Sequence, residues 1–302
     1  MLSPRLPFMQ QKFQSGFVSI FGKPNAGKST LLNALIGEKM AIVSPKVQTT
    51  RHRIKAFLNN DHYQIIFSDT PGIIEPKYGL HRKMMDQVKS ALEDADVAVL
   101  MYDLTDKSLE DVDFLFSSLR LKAPAIVICN KADIAGKETT ESALQFFKEK
   151  KYAKEVLAIS AITSTGLDDL IDLILKYLPE GMPFYDADDL SDLPTKFFVS
   201  ELIREKIFEL YHEEVPYQTT VLVQEFKEKT TLVKVQADII VHRETQKFIV
   251  IGEKGKMIKE LGTQARIAIE AFIGQKVFLE LFVKVRPKWR DDELKLREYG
   301  YR

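Results

Sequence analysis

Eight consecutive residues constrain this chain more than any others. Gly22-Lys23-Pro24-Asn25-Ala26-Gly27-Lys28-Ser29 fits the pattern Gly-x-x-x-x-Gly-Lys-Ser/Thr. That pattern carries meaning only between a strand and a helix. The flanks supply both: residues 17–21 are an apolar run, and residues 30–36 read as a helix opened by Thr30. Glycines at the loop's ends let the backbone wrap closely round phosphate oxygens. Successive N–H groups then point inward, and the following helix turns its positive end to the anion. Lys28 brings a point charge to the β and γ phosphates, and Ser29 brings an oxygen for Mg²⁺.

The rest of the chain gives this loop a setting. At 302 residues, two domains are expected, each long enough to bury its own core. With 45% hydrophobic and 28% charged residues the composition is that of an ordinary soluble protein, and a formal net charge of zero lends no bulk support to nucleic-acid binding. A single cysteine, Cys129, excludes a disulfide framework and suits a reducing cytoplasm. No signal peptide opens the chain, and no stretch is apolar for long enough to span a bilayer. The five histidines, scattered at 52, 62, 81, 212 and 242, form no metal-ligand cluster.

Short apolar runs at 17–21, 63–67, 97–102, 125–129 and 156–159 read as buried strands. Amphipathic stretches at 81–95, 108–119 and 167–178 read as the helices between them. This alternation predicts an α/β, doubly wound domain with a mostly parallel six-stranded sheet. Residues 54–60 and 63–67, joined by Asn60-Asp61-His62, predict one antiparallel hairpin within it. Residues 179–194 hold four prolines and glycines among four aspartates and break the pattern. Beyond them lie a helix (196–211), strands (219–226 and 231–241), a helix (257–273) and a strand (277–285), a smaller α+β domain. The expected division is an N-terminal extension at 1–14, a nucleotide domain at 15–180, a linker at 181–195, a second domain at 196–287 and a tail at 288–302.

Two further motifs fall at strand ends. Asp69-Thr70-Pro71-Gly72 follows the run at 63–67. Its carboxylate can hold Mg²⁺ through water, and Gly72 can bring its N–H to the γ phosphate. Between this motif and the loop lies Val47-Gln48-Thr49-Thr50-Arg51, where Thr50 is the candidate to complete the Mg²⁺ shell and sense the γ phosphate. Lys28, Thr50, Asp69 and Gly72 form the candidate catalytic set. Asn130-Lys131-Ala132-Asp133 follows the run at 125–129. The Asp133 carboxylate can accept both the N1–H and the exocyclic amine of guanine, a donor pair adenine lacks. A carboxylate left unpaired rejects the wrong base strongly. Lys131 can lie across the ring, Asn130 can brace the loops, and Ser160-Ala161-Ile162 can offer backbone N–H groups to the base oxygen.

In this order, the three motifs over residues 17–178 resemble the translation-factor-like GTPases. Ile162 departs from the lysine many relatives carry, at a position expected to act through its backbone. Ras-like relatives place a glutamine where this chain has Ile73, which cannot orient water. Asn25, at its place in the loop, resembles the potassium-activated branch of the superfamily, which implies a K⁺ held beside the phosphates.

In the second domain, Ile251-Gly252-Glu253-Lys254-Gly255-Lys256 contains a G-x-x-G turn. Small residues let a nucleic-acid backbone approach, and Lys254, Lys256 and Lys259 can meet phosphate. This resembles a KH domain of the type II order. Apolar content alone reads 248–251 as a strand, whereas the resemblance implies a short helix, which is the expectation adopted. The tail adds Lys284, Arg286, Lys288 and Trp289 as candidate RNA contacts.

Taken together, Gln48-Thr49-Thr50-Arg51-His52-Arg53, the G-x-x-G turn and the segment from Val283 to Glu293 make residues 17–301 resemble the Era family of bacterial GTPases. The resemblance implies binding of GTP and GDP, hydrolysis of GTP with Mg²⁺, and stimulation by K⁺ and RNA. It further implies binding of the 3′ end of small-subunit ribosomal RNA, a role in maturing the small ribosomal subunit, and peripheral association with the cytoplasmic face of the membrane. A monomer is expected. The alternatives are a membrane-associated signalling GTPase and a weakly hydrolysing, nucleotide-gated RNA-binding module.

Overall fold

The computed structural model describes residues 12–301. Most of the extension expected at 1–14 lies outside them. The first domain runs β1 (Gln14–Gly22), α1 (Lys28–Ile36), β2 (Ile54–Asn59), β3 (Tyr63–Asp69), α2 (Gly79–Asp94), β4 (Val97–Asp103), α3 (Leu109–Ser118), β5 (Ala125–Asn130), α4 (Ala132–Ala135), α5 (Lys137–Lys148), β6 (Ala153–Ala158) and α6 (Leu167–Tyr177). The six strands form one sheet in the order β2-β3-β1-β4-β5-β6. Only the β2–β3 pair is antiparallel, as the hairpin reading expects. Helices cover both faces. Val18, Ile20 and Ile126 pack with Leu31, Leu32 and Ile174 on one side. Phe21, Leu100 and Val127 pack with Val88, Phe116 and Phe147 on the other. Strands buried on both faces need apolar residues in succession, which is why they read as unbroken runs. The chain order reverses about β1, so the carboxyl ends of β1, β3, β4 and β5 surround the crevice where such sheets bind ligands.

The second domain runs α7 (Thr195–Leu210), β7 (Thr220–Glu228), β8 (Val233–Val241), α8 (Glu244–Ile251), α9 (Lys256–Ile273), β9 (Val277–Val285) and a short α10 (Glu293–Glu298). Its three-stranded sheet has the order β7-β8-β9, with β8 and β9 parallel. The helix expected at 248–251 is present as part of α8, and the apolar reading fails for a physical reason. Gln246 and Val250 are buried four residues apart while Phe248 and Ile249 face water, a helical rather than an alternating pattern. The Gln246 side chain accepts from the His242 and Arg243 amides at 3.0 and 3.1 Å, tying down the helix start.

Residues 181–193 are not a free tether. Phe57 N–H donates to the Leu190 carbonyl (3.0 Å), Gln64 Nε2 donates to the Tyr185 carbonyl (2.8 Å), and the Tyr185 ring stacks on Phe57. The segment therefore covers the edge strand β2, an otherwise open pairing template.

The tail corrects another expectation. Trp289, named as an RNA contact, is wholly buried, and its Nε1–H donates to the Gln218 carbonyl at 3.0 Å. It packs with Leu296, Tyr299 and Tyr301 against Leu80 and Met84 of α2 and Ile240 of β8, so the tail is a wedge between the domains. Asp291 Oδ1 accepts from the Gly79 amide (2.9 Å) at the start of α2, and Arg290 lies over the Tyr78 ring. An indole is a large apolar body with one donor, and here both find partners inside the protein.

The interface is expected to weaken in acid. The His52 ring stacks on Tyr301, with centroids 4.4 Å apart. Burial, reinforced by Arg204 and Arg51, holds its pKa down at about 4. Burial and Arg290 hold His81 down at about 4 as well. An unfolded histidine takes up its proton as pH falls through about 6.5, whereas these do so only near 4. Their contribution is thus complete above the unfolded value and is lost as pH falls. Thermal melts between pH 7 and 5 are expected to show a loss of about 1–2 kcal/mol attributable to His52. His52→Phe, which keeps the stack, should remove that share and leave the share of His81. An unchanged slope in the variant would refute it.

Candidate nucleotide site and RNA loop

The loop between β1 and α1 is shaped by backbone conformation. Gly27 sits at φ 103°, and a Cβ there would come within 2.3 Å of Asn130 Nδ2, so only glycine fits. Lys28 is buried, and its ammonium donates to the carbonyls of Gly22 (3.3 Å) and Lys23 (2.9 Å). Burial lowers its pKa to about 8, with Asp69 pulling the other way. A cation held in this manner, in a loop of inward amides, has a strong call for an anion. Lys28, Ser29, Thr30, Thr50, Gly72 and Lys131 are among the residues lining a cleft of about 350 Å³, as are Pro24 and Asn25. The Lys23 side chain turns elsewhere, to Asp106 (3.0 Å) and Ser108 (2.8 Å), which leaves its backbone as its part in the loop.

Three candidate metal ligands from three segments meet beside Lys28. Ser29 Oγ donates to Asp69 Oδ2 (2.7 Å) and lies 2.8 Å from Thr50 Oγ1, which donates to the same Oδ2 at 3.1 Å. The other oxygen, Asp69 Oδ1, is buried with no hydrogen-bond partner among the described residues. Burial pushes the Asp69 pKa up, against Lys28 and the two hydroxyls. Two hydroxyls, a desolvated carboxylate and an orphaned oxygen are the donor set of a hard divalent cation. Thr70 is buried and donates to the Ile20 carbonyl (2.6 Å), so its side chain anchors the strand end. Past Pro71 and Gly72, Ile73 N–H donates to the Gly22 carbonyl (3.1 Å). Its side chain is partly buried against the cluster that includes Phe21, and an apolar group orients no water.

At the base-reading end, Asn130 ties two loops together. Its amide nitrogen donates to the Ala26 carbonyl (2.9 Å), and its oxygen accepts from the Ala161 amide (3.0 Å). Lys131 is left-handed at φ 68° and pairs with Asp103. Asp133 is exposed in the first turn of α4. Ser160 pairs with Thr165 through backbone bonds (3.0 and 3.1 Å), and Ile162 projects outward, 77% exposed. Its side chain therefore carries none of the loop's structure.

The sequence reading missed what holds the loop of residues 40–53. Arg51, buried beside Thr50, donates to the carbonyls of Thr219 (2.7 Å), Pro216 (3.0 Å) and Tyr217 (3.2 Å) in the second domain. Arg204 of α7 donates to the Thr49 carbonyl. Lys46 donates to the carbonyls of Phe208 and Tyr211 at the end of α7, where a cation meets the helix's negative pole. The Arg51-His52-Arg53 run was the available signal, but partners 165 to 168 residues away cannot be read from spacing.

In the second domain α8 ends at Gly252, φ 71°, where a Cβ would meet Met257 Cγ at 2.5 Å. A single 3₁₀ turn, Glu253–Gly255, leads into α9. Lys254, Lys256 and Lys259 are exposed around it, and Ile251 is half-buried. Lys284 does not join them as a free charge, because it pairs with Asp238 at 2.7 Å. Arg286 and Lys288 are exposed.

The family described as 50S ribosome-binding GTPase matches residues 17–131, and the KH domain family matches residues 214–290. GTPase Era of Geotalea uraniireducens is 42% identical over 294 residues, covering 97% of this chain and 99% of that protein. GTPase Era of Leuconostoc citreum is 40% identical over 296 residues, covering 97% and 98%. The crystal structure of Aquifex aeolicus Era Y63A bound to GDP·AlF₄⁻ has a TM-score of 0.92 and 40% identity, covering 96% of this chain and 99% of that one. The structure of Era in complex with MgGDPNP and nucleotides 1506–1542 of 16S ribosomal RNA has the same score, identity and coverage. A phosphate loop, a guanine motif and a G-x-x-G turn, matched along nearly the whole chain, make this protein a GTPase of the Era family.

Proposed function

We propose that this GTPase binds GTP and GDP with Mg²⁺ and binds the 3′ end of small-subunit ribosomal RNA through its KH domain, assisting maturation of the small ribosomal subunit. The observation that carries the nucleotide half is the meeting of Ser29, Thr50 and the orphaned Asp69 oxygen beside Lys28. Ser29, Thr50 and Asp69 would hold the Mg²⁺, which when bound neutralises charge on the β and γ phosphates. Residues 22–30 cradle the phosphates, and Gly72 offers its amide to the γ phosphate. Asp133 reads the base, Lys131 covers it, and Ser160, Ala161 and Ile162 close the far side.

On the RNA side, Gly252 and Gly255 permit close approach, and Ile251, Glu253, Lys254, Lys256 and Lys259 frame the path, with Arg286 and Lys288 as outlying contacts. Gly255→Asp tests this: a side chain at 255 meets nothing within 4 Å, and the left-handed φ of 77° is one that aspartate, unlike most residues, adopts at modest cost. It should cut affinity for an oligonucleotide of the ribosomal RNA 3′ end by at least about tenfold, and leave GDP binding intact. Undiminished RNA binding would contradict the proposal. Lys254→Ala should weaken binding less and reduce its salt slope by about one contact.

With an apolar side chain at Ile73, help at the γ phosphate has to come from elsewhere. Asn25 is the candidate. Its amide nitrogen donates to the Pro45 carbonyl (2.7 Å), leaving the amide oxygen as a donor to K⁺. Turnover should therefore be faster in potassium than in sodium buffer, and Asn25→Ala should erase the difference. Equal rates for the wild type would refute the role. No described helix is long and apolar enough to cross a membrane. Contact with the membrane's inner face would draw on residues 284–290, of which Arg286 and Lys288 are exposed.

A further inference from the structure

The zero net charge of the chain hides one strongly basic hollow in the first domain. Where α3 and α5 end and β5 and β6 begin, a cavity of about 420 Å³ is lined by Arg120, Lys122, Lys151 and Lys154, with no carboxylate in its lining. All four side chains are exposed and have no hydrogen-bond or ion-pair partner among the described residues. The acids close by are already engaged. Asp113 accepts from Lys150 (2.7 Å) and from the Tyr152 hydroxyl (2.9 Å), and Glu155 accepts from Lys176 and the Tyr177 hydroxyl. Glu149, bonded by the Gln145 amide (2.9 Å), offsets one charge at most. Helix ends explain part of the charge. The negative poles of α3 and α5 both fall here, each equivalent to about half an elementary charge. Two such poles call for one cation, and four are present. The cavity sits at the amino ends of β5 and β6, whereas the nucleotide cleft sits at the carboxyl ends, so neither the metal site nor the base motif uses these cations.

We propose that this hollow is a second RNA contact, which receives the phosphate backbone of a folded part of the ribosomal RNA while the G-x-x-G loop holds the 3′ end. The inference rests on the RNA binding proposed above and adds a surface to it. A phosphodiester backbone brings one negative charge per nucleotide. Neutralising it releases counterions, a source of affinity that needs no base-specific contact. Lys122, Lys151 and Lys154 are point charges on flexible stems, suited to following a backbone rather than to fixing one planar group. The concave shape takes a protruding strand better than a flat lipid surface. The lining also presents no exposed apolar side chain to insert into a bilayer.

Lys122→Gln, Lys151→Gln and Lys154→Gln are combined in the full chain. Affinity is measured across a salt series for two probes, purified small ribosomal subunits and the ribosomal RNA 3′-end oligonucleotide. All three lysines are exposed and unpaired, so the melting temperature and GDP affinity should stay at wild-type values. Affinity for the subunit should fall by at least about tenfold, and its salt slope should shrink by about two to three. Affinity for the oligonucleotide should hold within about twofold, because the G-x-x-G loop is untouched. Arginine at the same three positions should retain subunit binding. A photo-crosslinking amino acid in place of Lys122 should attach to ribosomal RNA. Equal subunit affinity in the glutamine variant and the wild type overturns the proposal, as does a crosslink to ribosomal protein alone. If the variant instead loses binding to phosphatidylglycerol vesicles while its subunit affinity holds, the hollow is a lipid contact and the RNA reading of it falls. Failure of the wild type to bind the oligonucleotide would strike the role of the G-x-x-G loop, and the subunit measurement would still decide the hollow.

Discussion

Replacing Asp133 with asparagine should convert a guanine site into a xanthine site. A carboxylate offers two acceptors, matching the N1–H and exocyclic amine of guanine. An amide offers one acceptor and one donor, matching the N1–H and C2 carbonyl of xanthine. The Asn130 clamp between the Ala26 carbonyl and the Ala161 amide fixes the loops around the base independently of residue 133. Asp133 itself is exposed at the start of α4, so the exchange should not disturb the fold. Sites built to hydrogen-bond a substrate group reject analogues lacking it by about 10⁴-fold or more. Competition between GTP and XTP should show a fall in GTP affinity of that order and a comparable rise for XTP. A variant that still prefers GTP would move the base-reading role elsewhere.

Lys28→Ala should be nearly as severe. The ammonium sits buried under the loop, held by the carbonyls of Gly22 and Lys23 with a pKa pushed down to about 8. A β or γ phosphate arriving there meets a partly desolvated cation that is already oriented. Removing one such preorganised contact typically costs about 10²- to 10³-fold in rate. Phosphate-release assays should show a loss of that size in kcat/KM, with weaker GDP binding and a melting temperature close to wild type. A fall confined to stability, with turnover intact, would assign Lys28 to the fold alone.

The two predictions draw on the part of the molecule that is most legible in the sequence. The phosphate loop, Asp69 and Asn130 each close a strand, and a strand buried on both faces announces itself as an apolar run. The hairpin of β2 and β3 was readable from Asn60-Asp61-His62 for the same local reason, since Asn60 Oδ1 accepts from the His62 and Tyr63 amides. What stayed hidden depends on residues far apart in the chain. Trp289 looks like a stacking platform when read among Lys288 and Arg290. Only packing against Leu80, Met84 and Ile240 makes it core. Lys284 reads as a free phosphate contact until Asp238, 46 residues earlier, is found beside it. Arg51 reads as one basic residue in a polar loop, and its partners lie across the domain interface. Residues 248–251 show the opposite case. Apolar content favoured a strand, while the buried pair Gln246 and Val250 sets a helix.

The central claim is that a loop of backbone amides closed by Lys28, together with Ser29, Thr50 and Asp69, receives a guanine nucleotide with its metal. Calorimetric titration of the whole chain with GDP, GTP and ATP, each with Mg²⁺, tests it most directly. One-to-one uptake of GDP and GTP, with ATP bound weakly or undetectably, is the predicted result. No uptake of guanine nucleotide, or uptake of ATP as tight as that of GTP, would contradict it.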